Sequence, residues 1–254
     1  NGARILVDAG LGVSKAVCDQ GVALSELEAV FITHLHSDHY LELGPLIHTA
    51  WVSGRSTPLV IYGPSRLARY WTAFLTAMED DIALRIHDEG RVPLADLVSC
   101  QTLQDGDRIS LAGVTVEAMG NVHPPIEESF ALRFEWDGHA VVLSGDTAYM
   151  PEMIDFAQRA DLLVHEAMLV EGVDAIMRRQ PNGDDRLKNH ILRSHTAAAD
   201  VGRIAREAAV NKLALHHFVP DGFPEFTDNT WVDAARTTWS GPLVLGKDGT
   251  RIEI

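Results

Sequence analysis

Cysteine is nearly absent from these 254 residues. Cys18 and Cys100 stand alone in no C-x-x-C pattern, which excludes a disulfide scaffold and a thiolate metal centre. No apolar run approaches the roughly eighteen residues that cross a bilayer, and no signal-peptide core is visible, so the expectation is a soluble, cytoplasmic chain without membrane contact. Positive charge is scarce: 21 Lys and Arg face 36 Asp and Glu, and the net charge of −15 would repel a polyanion. That argues against nucleic acid and for a small-molecule partner, a local basic patch aside. Repeats, low-complexity tracts and linkers are missing too, which points to one domain over 1–254 with an ordinary apolar content of 46%. Asn1-Gly2 is a hairpin-turn signal opening onto a strand at 3–7, so a partner strand is expected upstream and the start reads as incomplete.

Histidine is what the chain concentrates. Phe31-Ile32-Thr33-His34-Leu35-His36-Ser37-Asp38-His39 is an apolar strand running into three histidines and a carboxylate. Side chains alternate along an extended chain, so His34 and His36 should point the same way, with Asp38 and His39 where the chain turns. Imidazole and carboxylate are ligands of Zn²⁺ and of harder first-row metals. Four of them in six positions exceed one open tetrahedral site and suggest two adjacent ions.

Thr33-His34-Leu35-His36-Ser37-Asp38-His39 resembles the T-H-x-H-x-D-H signature of the metallo-β-lactamase-fold hydrolases at every fixed position. The resemblance implies an α/β fold, an αββα sandwich of two mixed sheets flanked by helices. It also implies the remaining ligands. His123, by itself a loop histidine beside prolines, matches the third histidine of the first metal, after His34 and His36. Asp146 in Ser144-Gly145-Asp146-Thr147 matches the metal-bridging aspartate. His217, chosen over His216 by the family's L-x-L-x-H-F pattern, joins Asp38 and His39 on the second metal. Asp8 in Val7-Asp8-Ala9-Gly10 reads either as a turn aspartate or as the family's brace for the metal loop. His165-Glu166-Ala167-Met168 is similar to the H-E-A-T motif of the ribonuclease Z and arylsulfatase-like branch, which pairs this glutamate with a histidine at a helix start. Here the pair would be Glu166 and His195, the alternative for His195 being a helix cap. Two Zn²⁺ per chain are expected, with Mn or Fe possible, and dimers are common in that branch.

The rest of the chain reads as alternating strands and helices. Helices are expected at 14–20, from 40 to 51, at 65–78 capped by Ser65, at 152–160 and from 193 to 210. Strands are expected at 58–63, 108–111, 114–119, 129–136, 140–147, 161–168, 213–220, 242–245 and 250–254. His48 and Trp51 could meet substrate or fill the core. Residues 79–96 are polar and aperiodic, like a flap or insertion, but acidic, unlike the basic tRNA-gripping arm of some ribonucleases Z. The aromatic residues between 221 and 239 could form a rim or pack the last helix.

The implied chemistry is hydrolytic. A hydroxide shared by the two ions would attack the electrophile, with Asp38 counted among the catalytic residues as a ligand of the second ion, and His195 oriented by Glu166 would protonate the leaving group. Acidic charge, the missing arm and the aromatic tail favour a small ester, lactone, sulfate ester or phosphoester. The alternative is a phosphodiesterase or tRNA 3′-processing endonuclease of the ribonuclease Z type. β-Lactamase, dehalogenase or iron-dependent oxidoreductase chemistry and a non-catalytic scaffold rank lower.

Overall fold

A computed structural model describes residues 2–179 and 184–254; the hairpin signal at Asn1 lies outside them. The chain divides into two compact units, 1–103 and 104–254.

In the first unit, β1 (Ile5–Val7), β2 (Ala29–Phe31), β3 (Leu59–Gly63) and β4 (Val98–Thr102) form one sheet in that order. Helices fill every connection. α1 (Val13–Asp19) lies between β1 and β2, followed by α2 (Ser37–Tyr40) and α3 (Leu43–Val52). α4 (Leu67–Ala77), α5 (Glu79–Glu89) and α6 (Leu94–Leu97) come before β4. Parallel neighbours need such crossovers, and all pairings of this sheet are parallel. A mixed sheet was expected here; the described strands make a wholly parallel one because no hairpin joins any two of them. The helices bury Leu46, Ile47, Trp51 and Leu67 against Val30, Ile32 and Ile61 of the sheet side. Residues 79–89 are helical rather than aperiodic, with Ile82 and Ile86 set against this core. The helix expected from Ser65 starts at Leu67, with Arg66 rather than Ser65 at the N-cap position.

In the second unit, β5 (Arg108–Leu111), β6 (Val114–Gly120), β7 (Phe130–Trp136) and β8 (His139–Leu143) form an antiparallel meander. Asp137-Gly138 turns it between β7 and β8 with both φ positive, as a two-residue hairpin of this hand requires. After α7 (Glu152–Phe156) the sheet continues in parallel through β9 (Leu162–Met168), β10 (Leu213–Val219) and β11 (Leu243–Leu245), so this sheet is mixed. α8 (Val170–Arg179), α9 (Asp185–Ser194) and α10 (Ala198–Glu207) lie between β9 and β10, and α11 (Asp228–Arg236) follows β10. α7, α10 and α11 bury Met153, Val201, Ile204 and Trp231 on Leu163, Leu213 and Leu215.

Two expectations fail here, and one pair of helices is new. The helix from 193 to 210 is broken, because Arg193 and Ser194 end α9 and His195 and Ala197 are extended before α10 begins. The α8 and α9 pair was not foreseen. Residues 250–254 form no strand among the described residues.

Candidate metal centre

Parallel strands deliver their carboxyl ends to one edge, and in the first unit β1 and β2 do so with Asp8 and Thr33. Asp8 sits at φ 60, a left-handed conformation that aspartate tolerates better than most residues. Its Oδ1 accepts the Thr33 N–H at 2.7 Å, and its Oδ2 accepts the Thr33 hydroxyl at 2.9 Å and His39 Nδ1 at 2.7 Å. A turn aspartate would face solvent; Asp8 braces the histidine loop instead.

β2 stops at Phe31, so His34 and His36 lie past the strand rather than on its end. They converge nevertheless. His34 Nε2 and His36 Nδ1 are 3.1 Å apart, and the His34 and His39 rings are 4.0 Å apart. Asp38 and His39 fall on the short helix α2, where Asp38 is largely exposed and its Oδ2 lies 3.5 Å from His39 Nε2. His48 and Trp51 belong to the packing: His48 Nε2 bonds Asp81 at 2.9 Å, tying α3 to α5, and Trp51 is buried.

The second unit gathers the later candidates at the ends of β6, β8, β9 and β10. His123 is buried, and its Nδ1 donates to the Ser194 carbonyl at 2.9 Å. His217 Nε2 lies 3.3 Å from Asp146 Oδ2, and His123 Nε2 lies 3.9 Å from the same oxygen. One donor atom each from Asp146, His195 and His217 falls within 4.8 Å of the others, a spacing that can hold an ion. Two adjacent histidines on a regular strand would face opposite ways. The register between β9 and β10 shifts between His216 and Phe218, and His217 takes φ 45, so a bulge aims His217 at this cluster.

Glu166 is fully buried. Its Oε1 accepts the Thr147 N–H at 2.9 Å and His195 Nδ1 at 3.0 Å, and its own N–H donates to Ser144 Oγ at 3.0 Å. Burial, and next the charge of Asp146, hold the Glu166 carboxyl well above the usual carboxylate range. The His195 ring stacks beside His217 at 5.8 Å and meets His123 edge-on at 5.3 Å.

A common device runs through both units. His39, His123 and His195 each direct Nδ1 to an oxygen: a carboxylate, a carbonyl and a carboxylate. An oxygen without hydrogens can only accept, so Nδ1 carries the proton and Nε2 keeps the lone pair, the form a metal or a proton acceptor requires. The donor sets therefore fit divalent metal.

His190 escaped the sequence reading. Its ring is 6.1 Å from His123, and burial, then the neighbouring His195 and Arg193, lower its pKa. It lies one turn before Ser194 on α9, whose apolar face is carried by Leu187 and Ile191 alone. Ser144, Thr147 and Ser194 were also missed as supports, since a small polar residue beside a motif carries no signal of its own.

Residues 1–208 match the family model described as anti-Pycsar protein Apyc1. Ribonuclease Z of Mycobacterium bovis (strain BCG / Pasteur 1173P2) is 32% identical over 252 residues, covering 98% of this chain and 87% of that protein. Ribonuclease Z of Mycobacterium marinum is 31% identical over 256 residues, covering 100% and 89%. Among solved structures, the metallo-β-lactamase fold protein YhfI of Bacillus subtilis superposes with a TM-score of 0.71 at 23% identity, covering 98% of this chain and 87% of that one. Human tRNase Z, short form, gives 0.66 at 20% identity, covering 98% and 88%. The fold is thus the expected metallo-β-lactamase class. The ribonuclease Z relatives weigh against the expectation from net charge that nucleic acid is an unlikely partner, since total charge says nothing of the field at one edge. The chain belongs to the family of the anti-Pycsar protein Apyc1, within the ribonuclease Z-like branch of the metallo-β-lactamase-fold metal-dependent hydrolases.

Proposed function

We propose that this chain, as one metallo-β-lactamase-like domain, hydrolyses phosphodiester bonds in the manner of ribonuclease Z. His34, His36 and His123 would hold one metal ion and Asp38, His39 and His217 a second, with Asp146 shared. Zn²⁺ suits these imidazole-rich sets, and Mn or Fe could use them. When bound, the ions supply Lewis acidity and make water a nucleophile at neutral pH.

The protein's own groups do the rest. Asp8, Ser194 and Glu166 fix the tautomers of His39, His123 and His195. Asp146 would add the negative charge that two neighbouring cations need in order not to repel. His195 can carry a proton on Nε2 to the leaving oxygen, while Glu166 Oε1 at Nδ1 holds the ring in place. The observation that carries the reading is the Glu166–His195 pair beside Asp146 and His217. A hydrolase expelling a poorly stabilised alkoxide needs a positioned acid, and this pair provides one.

The relatives named ribonuclease Z favour the phosphodiester over the carboxylic ester or lactone expected from composition. A second reading, a small phosphodiester rather than RNA, is favoured by the net charge of −15. Metal-replete protein tested on precursor tRNA, bis(p-nitrophenyl) phosphate, p-nitrophenyl acetate and a lactone separates these. Cleavage of the phosphodiesters, with acetate and lactone untouched, is expected. Turnover confined to the acetate or lactone would overturn the proposal, and the tRNA arm distinguishes polymer from small diester.

A further inference from the structure

The metal loop of the first unit is held by a residue outside its motif. Glu42 follows α2 and precedes α3, three residues after His39. Its carboxylate reaches across to the loop after β1: Oε1 accepts the Ser14 N–H at 2.8 Å, Oε2 accepts the Gly12 N–H, and the Ser14 hydroxyl also bonds to it. Gly12 stands at the N-cap of α1 and brings no side-chain cap, so Glu42 satisfies these helix-start N–H groups from a distance. Burial pushes the Glu42 carboxyl up, but the Ser14 and Gly12 donors outweigh it and bring it below the usual range.

The backbone closes the same joint. The Glu42 N–H donates to the Ala9 carbonyl at 2.9 Å, and the Ala9 N–H donates to the His39 carbonyl at 2.6 Å. Gly10 is pressed so close that a Cβ there would lie 2.1 Å from the Asp38 carbonyl oxygen. Residues 8–14 and 38–42 are therefore two strips of chain clamped together, and Asp8, whose carboxylate orients His39, stands at the head of the first strip.

We propose that Glu42 is a positioning residue for His39. By tying Gly12 and Ser14 to the end of the metal loop it fixes the strip that carries Asp8, and through Asp8 it sets the direction of His39 Nε2. A glutamine cannot replace it. An amide has one acceptor oxygen, and its NH₂ would face one of the two N–H groups.

The inference rests on the proposed role of His39 as a metal ligand, and the test separates the two. Metal-stripped full-length chain is titrated with Zn²⁺ against a chromogenic chelator, for wild type, Glu42→Gln, Asp8→Asn and the double variant, with thermal melts of the apo forms alongside. Loss of an orienting partner behind a ligand costs about 10–100-fold in metal affinity. Glu42→Gln is expected to weaken one zinc equivalent by at least about tenfold, with little change in the apo melting temperature. In the Asp8→Asn background it should weaken binding no further, since both act on one histidine. Glu42→Asp, which keeps charge and both acceptors one methylene short, should recover part of the loss.

Wild-type affinity in Glu42→Gln overturns the inference, as do losses that multiply in the double variant. A wild type that binds no zinc overturns the metal reading itself and this inference with it.

Discussion

His165 makes a quantitative claim on acid stability. It lies on β9 beside Glu166 and is fully buried, with Leu215 of β10 as its register partner. Nδ1 donates to the Glu166 carbonyl at 2.8 Å, and Nε2 has no hydrogen-bond partner among the described residues. Protonating Nε2 would bury a cation with nothing to accept from it, and burial accordingly lowers the pKa from 6.5 to about 4. The folded pKa is below the unfolded one, so the unfolded chain takes the proton first as pH falls. The contribution is complete above about pH 6.5 and is lost between there and pH 4. At ~1.4 kcal/mol per pH unit, that interval is worth about 3 kcal/mol, an order-of-magnitude figure. His165→Leu keeps the volume and removes the proton site. Urea unfolding of metal-stripped wild type and variant at pH values from 7.5 to 4.5 should show the variant gaining on wild type by a few kcal/mol across the acid range. Stripping is needed because bound metal would shift the equilibrium by itself. Parallel pH profiles would refute the reasoning, for they would mean that His165 titrates alike in both states.

Other expectations follow from the same geometry. His195→Ala should keep its metal and lose turnover on bis(p-nitrophenyl) phosphate by about 10²–10⁴-fold, with Glu166→Gln falling in the same direction. Metal analysis showing loss of an ion from His195→Ala would make that residue a ligand rather than the acid. Asp8→Asn should lower zinc affinity by about 10–100-fold through His39, read by chelator competition. Arg55 is buried and donates to four backbone carbonyls, those of Ser25, Leu27, Thr57 and Pro58. Arg55→Met should therefore cost about 3 kcal/mol in denaturant unfolding, since the carbonyls are left without donors.

Legibility in the sequence followed the range of the forces involved. The Thr33–His39 cluster was readable because its donors are neighbours in the chain. Asp146, Glu166 and His217 were readable only through motifs at strand ends. The choice of His217 over His216 depended on alignment, because a β-bulge is a backbone event that no side-chain pattern predicts. α8 and α9 were hidden because a stretch holding Arg178, Arg179, Asp184, Asp185 and Arg186 looks like solvated loop when its buried residues, Val173 and Ile191, are few. The helical nature of 79–89 was hidden by the same excess of surface residues over the partly buried Ile82 and Ile86. The Glu42 clamp had no sequence signal at all: its partners are 28 and 30 residues away, and two of its donors are backbone.

The two ends of the α8–α9 segment are fastened to each other as well as to the sheet. The Met168 N–H donates to the Thr196 carbonyl at 2.8 Å, and the carbonyl of Ser194, the last residue of α9, receives His123 Nδ1. α8 and α9 in turn bury Val173 and Ile191 against Met168 at the end of β9. The strand that carries Glu166 and the turn that carries His195 are thus joined at the root of this segment as well as by their own contact, so a change that loosens α8 or α9 reaches the proton-donor pair only through that joint.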